Sequence, residues 1–340
     1  MTVLPESSNV AAPLAAPVAY DYHRADRAYP GYRWWKPLPV AALAFVFYLL
    51  LSLLVIGIVE AVAVQVLSPA DYTEHVRQFS ELNVVITDPL TLVVVLGSIA
   101  VMTPALWLAR LILRAGSLGR LSSVAGRLRW RWFAIALLPA VGYLAVQSVI
   151  SYGIAPAITG EHLGEVTTPI GTFLLCLVVL LLLVPFQASA EEYVFRGFVL
   201  QSVGGWARWP VLAIVVSIGP FVLGHAYNWW GLGEVLVFAV VAAWLTIRTG
   251  GLEAAIGVHI LNNIVAFSIP ALGFTNVTES NGSPEGFIMA VILLPLYGWA
   301  VAVMYRRSGL SRQVAATPAP AVSAPQMAAS EGAETIQRNP

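Results

Sequence analysis

Three charged side chains interrupt a long apolar run in the stretch Ala188-Ser189-Ala190-Glu191-Glu192-Tyr193-Val194-Phe195-Arg196. A charge at the centre of a bilayer costs about 2.5–3.5 kcal/mol on insertion scales, so such a cluster needs a structural or functional reason. Glu192 and Arg196 are four residues apart, with the acid N-terminal to the base, which favours an ion pair on one helix face. Glu191 lies about 100° around the helix from Glu192. It is therefore left without an obvious partner.

The composition of the whole chain indicates a membrane protein. Of its 340 residues, 58% are hydrophobic and 11% are charged, and the mean hydropathy is +0.78. Soluble domains carry about 25% charged residues. The formal net charge is zero, so no basic excess points to nucleic acid as a partner. We predict an all-α fold, a polytopic membrane helix bundle.

About eight apolar runs are candidates for transmembrane helices. A helix needs about 20 residues to cross about 30 Å of hydrocarbon, and open strands cannot cross lipid. The shortest run is 234–249. The eight runs are 38–67, 89–113, 131–153, 169–190, 209–226, 234–249, 251–271 and 286–304.

Two polar segments flank these runs. Residues 1–37 and 306–340 are predicted to be disordered tails because they are poor in periodic apolar residues and rich in Ala and Pro. Lys and Arg concentrate in the tails and in alternate connections, so the positive-inside rule places both termini in the cytoplasm. Between the tails we assign 38–168 to N-terminal transmembrane helices and 169–305 to a core with the charged stretch. The predicted location is the cell membrane, with multiple passes.

Two further polar motifs interrupt apolar runs. Phe221-x-x-x-His225 ends the fifth run, and His259 and Asn263 share one helix face in the seventh. Polar groups on different helices of an apolar bundle need partners, and the economical solution is that they find one another. We therefore expect Glu191, His225 and His259 to converge on one polar cavity, close enough to share a water.

Such a cluster has the functions that peptide hydrolysis needs. A carboxylate and a neutral imidazole can together deprotonate a water, and a second imidazole with an amide N–H can hold an oxyanion. Alternatively, Glu191, His225 and His259 form a His₂Glu zinc site with an open fourth position. The residues alone do not separate direct water activation from zinc.

The three motifs together resemble a known family. Glu-Glu-x-x-x-Arg at 191–196, Phe-x-x-x-His at 221–225 and His-x-x-x-Asn at 259–263 are similar, in that order, to motifs of the CAAX protease and bacteriocin-processing (Abi) family of intramembrane endopeptidases. The resemblance covers about 169–305. It implies a membrane endopeptidase that acts on membrane-associated or lipidated proteins or peptides.

The resemblance also implies catalytic roles. Glu191 with His225 would activate the water, and His259 with Asn263 would form the oxyanion site. No cofactor is favoured on this reading, although a divalent metal such as zinc stays possible.

Supporting roles follow from the same resemblance. Glu192 and Arg196 would hold the helix and orient Glu191, and Phe221 would pack near the site.

Two other classes of protein are compatible with the same residues. Intramembrane Glu and His also mark ion paths, so a proton- or ion-coupled transporter is one alternative. No internal repeat of the kind that many carriers show is visible in the chain. The second alternative is a non-catalytic membrane scaffold whose motifs serve packing.

The protease interpretation carries a geometric difficulty. In straight ideal helices, Glu191 would lie at the inner end of the fourth span and His225 near the outer end of the fifth. We therefore expect residues 190–206 to continue as a helix and the fifth span to bend. Pro185, Gly204-Gly205 and Gly219-Pro220 are the candidate helix breakers.

Overall fold

The described part of the chain is a bundle of apolar helices, which confirms the predicted all-α fold. The computed structural model describes residues 18–81, 85–160, 164–274 and 282–316. The helices are α1 (Pro37–Val66), α2 (Pro69–Ser80), α3 (Pro89–Ala100), α4 (Met102–Ile112), α5 (Gly119–Ser122), α6 (Trp130–Val149), α7 (Ala155–Thr159), α8 (Ile170–Glu191), α9 (Leu200–Trp206), α10 (Pro210–Leu223), α11 (Trp229–Thr249), α12 (Glu253–Ser268) and α13 (Pro284–Arg307). Strands β1 (Ala19–Asp21) and β2 (Gln313–Ala315) form one antiparallel pair, and short 3₁₀ or π segments cover Tyr22–Ala28, Ile150–Ile154, Glu192–Val199 and Pro270–Leu272.

Seven helical segments in the described ranges are long and apolar enough to cross a membrane. They are Pro37–Val66, Pro89–Ile112, Trp130–Thr159, Ile170–Trp206, Trp229–Thr249, Glu253–Leu272 and Pro284–Arg307. The remaining predicted span, at 209–226, corresponds to α10, which has only 14 residues. That length is about 21 Å, less than the hydrocarbon thickness. All eight predicted spans correspond to helices, but one of these helices is too short to cross the membrane.

The helix that carries the charged stretch is continuous over 37 residues, Ile170–Trp206. It comprises α8, the π segment Glu192–Val199 and α9, so the expected continuation over 190–206 is confirmed. Pro185 lies inside α8 and does not end it. A π turn inside an α-helix is rare and often marks a functional site, and here it begins at the second glutamate of the motif.

The expectation that Gly204-Gly205 breaks this helix is wrong, and the structure gives another reason for the two glycines. A Cβ on Gly204 would lie 1.9 Å from the carbonyl oxygen of His23, and one on Gly205 would lie 2.7 Å from the hydroxyl of Tyr32. The glycines therefore let the N-terminal segment approach the helix backbone.

The short helix α10 accounts for the depth of the second motif, Phe221-x-x-x-His225. The run from Glu191 to Trp206 and the returning helix α10 are each about 20 Å long, so α10 ends near the level of Glu191. The ring centroids of Phe195 and Phe221, one on each arm of this hairpin, are 5.4 Å apart. Helix α10 continues through Gly219-Pro220 to Leu223. The expected bend is thus replaced by a short helix that places His225 in the loop after it.

The prediction of disordered tails fails for the residues that adjoin the bundle. β1 pairs with β2 in the register Ala19↔Ala315. The 3₁₀ helix Tyr22–Ala28 follows β1, and Tyr22 is completely buried. The Tyr22 hydroxyl donates a hydrogen bond to the carbonyl of Leu121. An apolar, aromatic face thus anchors 18–37 to the bundle, whereas the tail segments 1–17 and 317–340 lie outside the described residues. The strand pair also places both flanking segments at the same end of the bundle.

Candidate active site

The carboxylate of Glu191 lies at the centre of a buried polar chain. Gln187, one helical turn earlier, donates from Nε2 to Glu191 Oε2 at 2.8 Å. His259, on α12, places its Nε2 3.3 Å from the same oxygen. Glu191 and His259 therefore converge, as expected. Packing of α8 against α12 supplies the second imidazole, a long-range contact that helical spacing within the motif does not reveal.

Glu192 and Arg196 form the ion pair that their spacing predicted. Arg196 Nη1 donates to Glu192 Oε1 at 3.0 Å, and both side chains are fully buried. The guanidinium carbon of Arg196 also lies 4.0 Å from the ring centroid of Phe221, a cation–π contact. Phe221 thus packs beside the site, as expected.

His259 joins the two glutamates. Its Nδ1 lies 2.8 Å from Glu192 Oε1, while its Nε2 faces Glu191. Ionised carboxylates only accept hydrogen bonds, so an imidazolium with a proton on each nitrogen would complement both glutamates. Two acids and two bases then balance in this buried cluster, which reduces the cost of placing charges away from water.

The amide of Asn263 continues this hydrogen-bonded network on the Gln187 side of Glu191. Its Nδ2 donates to Gln187 Oε1 at 3.0 Å, and Gln187 in turn holds Glu191. The structure therefore brings His259 and Asn263 to opposite ends of the Gln187–Glu191 pair, on one face of α12.

His225 lies outside this hydrogen-bonded chain. Its Nδ1 lies 2.8 Å from the carbonyl oxygen of Phe221, and a carbonyl can only accept, so Nδ1 carries the proton. In the neutral imidazole Nε2 is then an acceptor. Among the described residues, no hydrogen bond or ion pair joins His225 directly to Glu191, and the expectation that the two share a water stays a prediction. His225 instead adjoins the site through aromatic contacts with Phe221. The ring centroid of Phe221 lies 4.9 Å from that of His225 and 6.0 Å from that of His259.

The same geometry bears on the zinc alternative. In the described ranges, no three His, Cys, Asp or Glu side chains are grouped closely enough to hold one metal ion. Glu191, His225 and His259 therefore do not fit a three-ligand zinc site in this arrangement, and we assign no step to a metal.

A second buried ion pair fixes the start of the helix that carries His259. Arg129 donates from Nε and Nη2 to the two oxygens of Glu253 at 2.8 and 2.7 Å. Its backbone N–H also donates to Glu253, and Nη1 donates to the Tyr305 hydroxyl. Glu253 is fully buried at the first residue of α12. This pair positions α12 relative to α6 and α13.

Sequence reasoning missed three residues of this arrangement, namely Gln187, Arg129 and Glu253. Gln187 could have been found, because it is four residues before Glu191 on the same helix face. Glu253 was visible as a charge at the edge of an apolar run, but its partner Arg129 is distant in the sequence and only the fold reveals it.

The comparisons with known proteins bear on the same segment. Residues 171–265 match the family model described as type II CAAX prenyl endopeptidase Rce1-like. The chain is also 28% identical over 229 residues to an uncharacterised protein of Bacillus subtilis (strain 168), YyaK; the alignment covers 62% of this chain and 74% of that protein. No solved structure matches the chain significantly.

The matched segment contains every residue of the three motifs, from Glu191 to Asn263. The match supports a CAAX-type membrane protease in general terms, and the apolar helices agree with a multi-pass membrane protein. The family resemblance drawn from the motifs is therefore confirmed: over residues 171–265 this chain is similar to the Rce1-like type II CAAX prenyl endopeptidases.

Proposed function

We propose that this protein is an intramembrane endopeptidase that hydrolyses peptide bonds of membrane-associated or lipidated substrates with a glutamate-activated water. The observation that carries the proposal is the position of Glu191. Glu191 is 8% exposed and its carboxylate is oriented by Gln187 and His259, while Glu192, its neighbour, is fully buried and engaged with Arg196. Of the two acids, Glu191 is the one with access to a substrate.

Glu191 acts as the general base. A water between Glu191 and the His225 loop gives its proton to the carboxylate as it attacks the peptide carbonyl, and Glu191 then passes that proton to the leaving amine nitrogen as the C–N bond breaks. His225 presents an acceptor nitrogen, Nε2, that can hold the second proton of this water. Direct contacts of this kind are often long in a protein without substrate and shorten when substrate binds. The present separation of His225 from Glu191 therefore leaves room for the reacting groups.

His259 and Asn263 stabilise the developing oxyanion. The hydrogen bond from His259 Nδ1 to Glu192 is 0.5 Å shorter than the contact from its Nε2 to Glu191, at 2.8 against 3.3 Å. When Glu191 accepts the proton it loses its charge, so the weaker contact is released and Nε2–H becomes a donor for the oxyanion. The amide of Asn263 lies on the same helix face and supplies a second donor.

This mechanism uses no metal, and its substrate reaches the site from the lipid bilayer.

We place the protein in the cell membrane with both termini cytoplasmic, because the Arg- and Lys-bearing ends share one side of the bundle. The strand pair β1–β2 supports a common side for both ends.

Cleavage of a defined library tests the proposal. Purified protein in vesicles is incubated with membrane-protein fragments and with peptides that carry or lack a prenyl group, and products are identified by mass spectrometry. We expect cleavage that persists with a chelator and is lost in Glu191→Gln. Proton or ion flux without cleavage of any library member would support the transporter alternative instead.

A further inference from the structure

A basic cavity opens at the end of the bundle that carries the two flanking segments. It has a volume of about 480 Å³ and lies where α1 begins, where α4 ends and where the loop to α5 passes beneath the 3₁₀ helix. Phe198, from the π segment of the long helix, forms part of its wall. The cavity is separate from the cluster around Glu191.

Cations dominate the lining of this cavity. Five of the lining residues are basic and one, Asp26, is acidic. The basic residues are Arg33, Lys36, Arg110, Arg114 and Arg120. Burial raises the pKa of Asp26, with the charges of Arg110 and Arg120 acting in the opposite direction. One acid cannot balance five bases, so the lining keeps an excess of positive charge.

These cations are held mainly by neutral groups. Lys36 Nζ donates to the carbonyl of Arg114, and Arg120 stacks at 4.0 Å on the ring of Tyr29. The single ion pair that they make with described residues is a long one, 3.8 Å from Arg110 Nη1 to Asp26 Oδ2. Carbonyls and rings orient a cation without neutralising it, so the cavity keeps an excess of positive charge.

Arg110 shows that the cavity is prepared for a ligand. Its side chain is 2% exposed, and its Nε is fixed by the carbonyl of Gly116. Its Nη2 is buried and has no hydrogen-bond partner among the described residues. A buried guanidinium N–H without an acceptor is costly, and an anionic oxygen in the cavity would satisfy it.

The remaining walls match a lipid better than a soluble anion. Val40, Trp107 and Leu111 line the cavity beside the cations. Trp107 and Leu111 are 46% and 58% exposed on the outside of the bundle, where acyl chains would lie. Trp34 and Trp35, immediately before α1, are exposed as well, as is usual at the membrane–water interface.

We propose that this cavity binds the phosphate of an anionic phospholipid from the adjoining leaflet, with Arg110 as the buried donor and Arg33, Lys36, Arg114 and Arg120 around it. Basic pockets between transmembrane helices on the cytoplasmic side are known binding sites for anionic headgroups. The proposal does not depend on the protease mechanism.

Lipid binding by the full chain in detergent tests this inference. Phosphatidylglycerol and phosphatidylcholine are titrated separately into mixed micelles, and the lipid retained per protein is measured by mass spectrometry. We expect selective retention of phosphatidylglycerol. The double variant Arg33→Gln/Arg114→Gln should weaken it about 25-fold, about fivefold for each cation near the headgroup. Both side chains are exposed, so the fold should survive, and thermal unfolding checks that it does.

Two controls identify the site and the source of the phosphate. Arg306→Gln/Arg307→Gln removes the same charge from the exposed end of α13 and should leave binding unchanged. Inorganic phosphate at millimolar concentration should not displace the lipid. Equal losses in both double variants, equal retention of phosphatidylcholine, or displacement by inorganic phosphate would each overturn the proposal.

Discussion

Two buried acid–base networks in this bundle use the same residue types for different purposes. In the first, Arg129 and Glu253 join through two short hydrogen bonds, and all of their polar side-chain atoms have partners. In the second, which centres on Glu191 and Glu192, Glu192 Oε2 and the Nε and Nη2 atoms of Arg196 have no hydrogen-bond partner among the described residues. The first network is saturated, and the second retains unused donors and acceptors.

This difference separates a structural ion pair from a reactive one. A saturated bidentate pair fixes two helices and has nothing left to offer a substrate. An unsaturated cluster costs stability, so a buried polar atom without a partner calls for an explanation such as catalysis. The helix that carries His259 depends on both networks, because it begins at Glu253 and reaches His259 in the reactive cluster about 1.7 turns later.

The largest expected effect is on catalysis, at Glu191. Glu191→Gln removes the base and keeps the shape, so cleavage per folded molecule should fall by about 10³–10⁴-fold, the upper range for general-base catalysis. Thermal unfolding in detergent should change little. Cleavage close to that of the unchanged protein would show that Glu191 is not the base.

The second effect is on stability, at the saturated pair. Glu253→Gln leaves Arg129 buried without a counter-charge and should lower the free energy of unfolding by about 3–5 kcal/mol. The cleavage rate per folded molecule should persist. As a matched control, Arg129→Met/Glu253→Leu removes both charges and should recover most of the stability; if it does not, the pair matters for more than charge balance.

The third effect tests the division between the adjacent glutamates. Glu192→Gln leaves Arg196 uncompensated and loosens His259, so we expect a loss of about 3 kcal/mol of stability and a drop in cleavage of about 10–100-fold. The stability and the cleavage rate of Glu192→Gln are measured side by side with those of Glu191→Gln. If Glu192→Gln is stable and inactive while Glu191→Gln still cleaves, the roles of the two glutamates are reversed.

The smallest effect is at Gln187, which orients Glu191 and Asn263. Gln187→Leu should reduce kcat about tenfold, within the range for positioning groups, with KM and stability nearly unchanged. Ser189→Ala is the matched control on the same helix, since within the described ranges the Ser189 hydroxyl bonds only to the carbonyl of Pro185. A loss of stability without a change in kcat would make Gln187 a packing residue.

Local spacing was enough to predict the helices, the Glu192–Arg196 pair and the place of Phe221. It failed where distant parts of the chain meet. That His259 contacts Glu191 directly while His225 does not follows from the packing of α8 on α12, which spacing within a motif does not show. Gly204-Gly205 was interpreted as a breaker because the sequence does not show that His23 packs on it. The depth of His225 depends on the length of α10, which hydropathy alone overestimated.

The strand pair β1–β2 has a consequence for the order in which the protein is assembled. Residue 19 is synthesised long before residue 315, yet the two are paired in the folded protein. Strand β1 therefore has no strand partner until all the helices from α1 to α13 have been synthesised. The pairing of β1 with β2 is thus a late step in the assembly of the bundle.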